Sequence, residues 1–76
     1  MTADNFDHVF TELRGHQPFH IFTVELNGGR RFEVDHPEAL IVREGVAVFI
    51  APGGIPIYFD HESVNQVILA DANSDV

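Results

Sequence analysis

Phe22-Thr23-Val24-Glu25-Leu26-Asn27-Gly28-Gly29-Arg30-Arg31-Phe32-Glu33-Val34-Asp35 is the stretch that decides the fold. Phe22, Val24 and Leu26 alternate with Thr23 and Glu25, and Asn27-Gly28-Gly29 breaks the run. Phe32 and Val34 then resume it between Arg31, Glu33 and Asp35. Side chains two residues apart share one face of a strand, and Asn-Gly between two alternating runs is a strong hairpin signal. The same rhythm, cut by glycine and proline, fills the chain after residue 18.

Working outward, the alternation predicts five strands, over about 19–26, 30–43, 46–51, 55–59 and 64–70. The second is long but interrupted by His36-Pro37, since proline cannot donate to a ladder and marks a bulge or sharp bend. Glu44-Gly45 is a tight connection, and Pro52-Gly53-Gly54 is the next turn. Val46-Ala47-Val48-Phe49-Ile50 is continuously apolar, the pattern of a strand covered on both faces. Asp60-His61-Glu62-Ser63 reads as a single turn of 3₁₀ type, and the acidic tail after Asp71 reads as frayed. Both glycine pairs, Gly28-Gly29 and Gly53-Gly54, suit turns that need positive φ.

Ahead of the strands, residues 4–14 read as a helix with Asp4 as N-cap and Asp7 in its first turn. Phe6, Val9, Phe10 and Leu13 follow the i, i+3, i+4, i+7 rule and form one apolar stripe. Gly15 suits a left-handed residue after the last turn, and Pro18 prevents continuation. So short a helix is unstable alone and must dock on an apolar surface. The expectation is one mainly β domain over residues 1–76, a helix followed by a five-stranded, strongly bent antiparallel sheet. Short strands of this kind bury their apolar faces best by curling into a small barrel.

Size and charge narrow the functions. A 76-residue chain is near the lower limit for a single self-sufficient core. Without cysteine it has neither disulfide staples nor a thiolate zinc site, which leaves association with other chains. No secretory signal or membrane-length apolar run is present, so a cytoplasmic protein is expected. Twelve acidic residues face four basic ones, all arginine, for a net charge of −8. That field repels polyanions and works against nucleic-acid binding. The helix carries Asp7 and Glu12 on its polar face, which disfavours an anionic membrane surface.

A short N-terminal helix, five strands with the second sharply bent, and one helical turn before the fifth: this order resembles the Sm-like fold over residues 19–70. The likeness is carried by Val24-Glu25-Leu26-Asn27-Gly28 and by Phe59-Asp60-His61 before the last strand. In the bacterial RNA-chaperone branch, Hfq, the second place holds an aromatic-lysine-histidine motif at the pore that contacts uridine-rich RNA. The resemblance implies that Phe59 and His61, with Asn27, would form an RNA site; here Asp60 reverses the charge where phosphate would sit. Glu33 stands where a glycine is usual, and His36-Pro37-Glu38-Ala39-Leu40 replaces the Asp-x-x-Met-Asn loop of eukaryotic Sm proteins. The chain is also similar to a group of small uncharacterised bacterial proteins, through Gln17-Pro18-Phe19, Glu25-Leu26-Asn27-Gly28-Gly29-Arg30, Phe32, Val34, His36-Pro37-Glu38 and Val64-x-x-Val67. That likeness brings no activity with it.

Candidate chemistry is sparse. Histidine and carboxylate can ligate a divalent ion, and His36, Glu38 and His61 are the candidate set for a metal site at a subunit interface. Neither His36-Pro37-Glu38 nor Asp60-His61-Glu62 has the spacing that sets two imidazoles on one helix face; the alternative makes Asp35-His36 and Asp60-His61 exposed turn residues. There is no cysteine nucleophile and no nucleophile elbow around Ser63. Gly28-Gly29 and Gly53-Gly54 lack the helix and lysine of a phosphate loop. Neither enzymatic activity nor a cofactor is expected. Of the seven phenylalanines, Phe6, Phe10, Phe22, Phe32, Phe49 and Phe59 fall on core faces, whereas Phe19, and the single tyrosine Tyr58, do not.

The expected partner is another copy of the chain. Strands four and five would leave open edges, which template pairing with another chain. Ile57, Tyr58, Val67, Ile68 and Leu69 are the candidate interface. In Sm-like proteins these edges pair head to tail and close a ring; the resemblance implies about five to seven copies, with a dimer next.

Overall fold

Thr2, not Asp4, starts the helix. Its Oγ1 accepts the backbone N–H of Asn5 at 3.1 Å, and Thr2 itself is extended, as an N-cap should be. In the computed structural model, which describes residues 1–69, α1 runs Ala3–Gly15. Gly15 closes the last turn from within, and the cap is the extended His16. The chain then passes a cis Gln17–Pro18 bond into the strands.

The strands are β1 (Phe22–Leu26), β2 (Arg31–Val34), β3 (Leu40–Arg43), β4 (Val46–Ala51), β5 (Ile55–Asp60) and β6 (Val64–Leu69), with a 3₁₀ turn over Pro37–Ala39 between β2 and β3. They form two antiparallel sheets of three, in the orders β2-β1-β6 and β3-β4-β5. This corrects the expectation of five strands in one bent sheet. Pro37 does not merely bend a strand; it opens a helical turn that hands the chain from one sheet to the other. The two sheets do not close into a barrel. The first strand is also shorter than expected, leaving Phe19 ahead of it, and Ala70 lies outside the described residues.

The turns follow their glycines. Gly28 and Gly29 have φ of 95° and 92°, and Gly53 and Gly54 have 88° and 79°, values that cost a Cβ-bearing residue heavily. The β1–β2 register runs from Phe22 opposite Val34 to Glu25 opposite Arg31, so Phe22, Val24 and Val34 all face inward and are fully buried.

Aromatic rings join helix to sheets. Phe6 and Phe10 touch at 4.8 Å between centroids. Phe10 reaches Phe22 of the first sheet and Phe59 of the second, each at 6.0 Å. Phe32 stacks on Phe49 at 4.6 Å and tilts against Phe59 at 5.2 Å. Each such pair contributes roughly 0.5–1.5 kcal/mol beyond the area it buries. The helix thus supplies the core that two small sheets cannot build alone, while Phe19 and Phe32 pack at its margin.

Candidate functional site

Three turns and the chain's first residue converge at one end of the molecule. The Asn27 side chain donates from Nδ2 to the Glu62 carbonyl at 2.9 Å, and its backbone N–H donates to the Ser63 carbonyl at 2.7 Å. His61 N–H donates to the Gly45 carbonyl at 2.8 Å. Gly45 N–H in turn donates to Asp7 Oδ1 of α1 at 2.7 Å. The His61 ring closes the circuit, with Nδ1 2.9 Å from the Met1 carbonyl. A carbonyl only accepts, so Nδ1 carries the proton.

Asp60 orders the last of these turns. Its Oδ1 accepts from Ser63 Oγ at 2.8 Å and from the backbone N–H groups of Ser63 and Glu62 at 3.0 and 3.1 Å. The Ser63 hydroxyl is the main reason its carboxyl sits below the ordinary 3.8; burial opposes this, and the backbone donors and the His61 charge reinforce it. Asp60 and His61 are half-buried in this network rather than exposed turn residues, whereas Asp35 and His36 are exposed, with His36 Nε2 3.7 Å from Asp35 Oδ1.

Of the three residues implied for RNA contact, Asn27 and His61 meet in this cluster. Phe59 does not present its ring: it is 5% exposed and packed on Phe6, Phe10 and Phe32. The metal candidates are not gathered either. His36 and Glu38 line a groove of about 370 Å³ with Glu33, Asp35, Phe49 and Pro52, while His61 belongs to the turn cluster. Among the described residues no group of three or more His, Asp or Glu is arranged to hold a metal ion.

Two arrangements escaped the sequence reading. Glu25, on the central strand of the first sheet, is 8% exposed. Its Oε1 accepts from Asn65 at 2.8 Å and Gln66 at 2.5 Å, and its Oε2 from Arg31 Nε at 3.1 Å. These bonds hold its carboxyl below the ordinary 4.5, Asn65 contributing most, then Gln66 and Arg31, against the opposing pull of burial. The second is the contact between the His16 and His20 rings, 4.7 Å apart beyond the helix end. Arg31 opposite Glu25 in the hairpin was a readable cross-strand pair; the donors from β6 were not, being forty positions away.

The candidate interface residues lie on β5 and β6, each at an edge of its sheet. Tyr58 is the most exposed large side chain and Leu69 is exposed, while Ile57, Val67 and Ile68 are half-buried, Ile57 and Val67 against the core. Among the described residues no helix is long and apolar enough to cross a membrane. Compared with protein-family models, curated proteins and solved structures, the chain finds no match in any of the three.

Proposed function

We propose that this chain is a non-enzymatic Sm-like module that assembles through its strand edges into a closed homo-oligomer and serves as a binding or scaffolding platform. The observation that carries the reading is the strand order. Each sheet has two edge strands, β2 and β6 in one and β3 and β5 in the other. In the proposed assembly the two sheets run on from one another through the Pro37–Ala39 turn, although β2 and β3 pair in separate sheets. The order then becomes β5-β4-β3/β2-β1-β6, with β5 and β6 at opposite ends, as head-to-tail pairing requires. The β3 side is packed by α1, whereas β5 carries only Pro56 as a block to pairing.

Light scattering coupled to size exclusion tests the reading. A closed assembly of about five to seven copies is expected, with a dimer as the next outcome. A stable 8.5 kDa monomer at micromolar concentration overturns it. An Hfq-type RNA reading finds support in the meeting of Asn27 and His61, but the ionised Asp60 beside them and the buried Phe59 argue against it.

A further inference from the structure

The second sheet has an apolar outer face that none of the described residues covers. Ile41, Val48 and Tyr58 stand in one register row across β3, β4 and β5, and Arg43, Val46 and Asp60 form the next. Ile41 is 56% exposed, Val46 51% and Tyr58 73%, and the same side chains line a shallow apolar depression with Arg43. The continuously apolar β4 thus has a core face, Ala47 and Phe49, and an equally apolar outer one. A patch of this kind on so acidic a protein marks an interaction surface.

The register identifies its partner. We infer that this face docks on the same face of a second copy, about a two-fold axis parallel to β4. Rotation about that axis lays β3 of one copy over β5 of the other and leaves β4 facing β4. Arg43 then meets Asp60 of the second copy and Asp60 meets its Arg43, while Ile41 meets Tyr58. Val46 and Val48, on the axis, meet themselves. The face is self-complementary in charge, as an isologous contact demands, and aligned stacking of twisted sheets accommodates it. A sheet edge is not used, so the contact is independent of the edge pairing proposed above and can coexist with it.

The chain has no cysteine, so a single introduced thiol is a clean probe. Val48→Cys treated with a short bismaleimide should give a covalent dimer as the dominant product. Glu33→Cys, exposed on the other sheet, should stay mostly uncrosslinked at the same concentration. Adding Arg43→Glu to Val48→Cys, which sets a carboxylate against Asp60 of the second copy, should cut the yield at least tenfold, and Arg43→Lys should preserve it. Circular dichroism melts confirm that each variant is folded, and Val46→Cys is the second on-axis position should Val48→Cys not fold. Equal yields for Val48→Cys and Glu33→Cys, or a yield indifferent to Arg43→Glu, overturn the inference. A ring that forms without Val48 crosslinks rejects this contact and leaves edge pairing standing; crosslinks in a chain that forms no ring do the reverse.

Discussion

Glu25 sits in the middle of a sheet yet stays a carboxylate, and its three donors determine how the fold responds to acid. Its folded pKa is below the ordinary 4.5, so its stabilisation is complete above that value and is lost as pH falls through the folded pKa. Glu25→Gln should be less stable than wild type near neutrality, and the gap should narrow below pH 4.5. Urea melts across the acid range read this directly; a gap independent of pH would show that the ionised form is not what matters. Gly45 makes a second residue-scale case. At φ 82° an added Cβ would sit 2.9 Å from Ala3 Cβ and 3.1 Å from the His61 ring, whereas Gly53 at φ 88° faces open space. Gly53→Ala should cost about 1 kcal/mol, the left-handed penalty alone. Gly45→Ala should cost roughly 2–4 kcal/mol, because strain and overlap with a backbone-anchored neighbour add. Equal losses at both positions in chemical denaturation would contradict the packing described at Gly45.

The helix is where sequence and tertiary structure depend on each other most. Phe6 and Phe10 are fully buried and bridge the two sheets. Phe10→Ala should remove roughly 3–5 kcal/mol, a large share of the 5–15 kcal/mol typical of a domain, so the variant should melt near or below ambient temperature. Retention of a cooperative transition close to that of wild type would mean the helix is an ornament. What was legible here was local. The helical stripe, the Asn27-Gly28 hairpin and the positive-φ glycines follow from neighbours within a few positions; Val46–Ala51 has the expected bounds but is covered on one face only, since Val46 and Ile50 are exposed. Thr2, Asp4 and Asn5 all carry capping chemistry, and only geometry chooses among them. Val34 and Leu40 both belong to apolar runs. Nothing local tells a bent strand from two strands in separate sheets. The turn cluster was hidden for the same reason: Asp7 bonds Gly45 and Asn27 bonds Glu62 across long stretches of chain.

For the whole molecule, charge is the force that association must overcome. At −8 per chain, repulsion grows as copies gather and is screened over about 8 Å at 0.15 M salt. The oligomer should therefore dissociate as salt is lowered from 0.15 M to 0.01 M; light scattering at the two salt concentrations measures it, and an assembly that tightens at low salt would point to ion pairs as its main glue. The same field sets the expectation for nucleic acid. With no lysine anywhere and an ionised Asp60 beside His61, uridine-run RNA should bind no tighter than about 10⁻⁵ M near physiological salt. Submicromolar, salt-sensitive binding by anisotropy, lost in His61→Ala, would promote the RNA reading over the scaffold.

The aromatic bridge also has a consequence in time. Phe6 and Phe59 are in ring contact although more than fifty positions separate them, and the turn that Asp7 grips lies far downstream as well. A ribosome makes the N-terminal segment first. Phe10 can meet Phe22 once β1 has been made, but the Phe59 ring that Phe6 and Phe10 both touch comes only with β5. The helix thus completes its packing only after most of the strands have been made. During that interval the ring faces of Phe6 and Phe10 that pack on Phe59 stay uncovered.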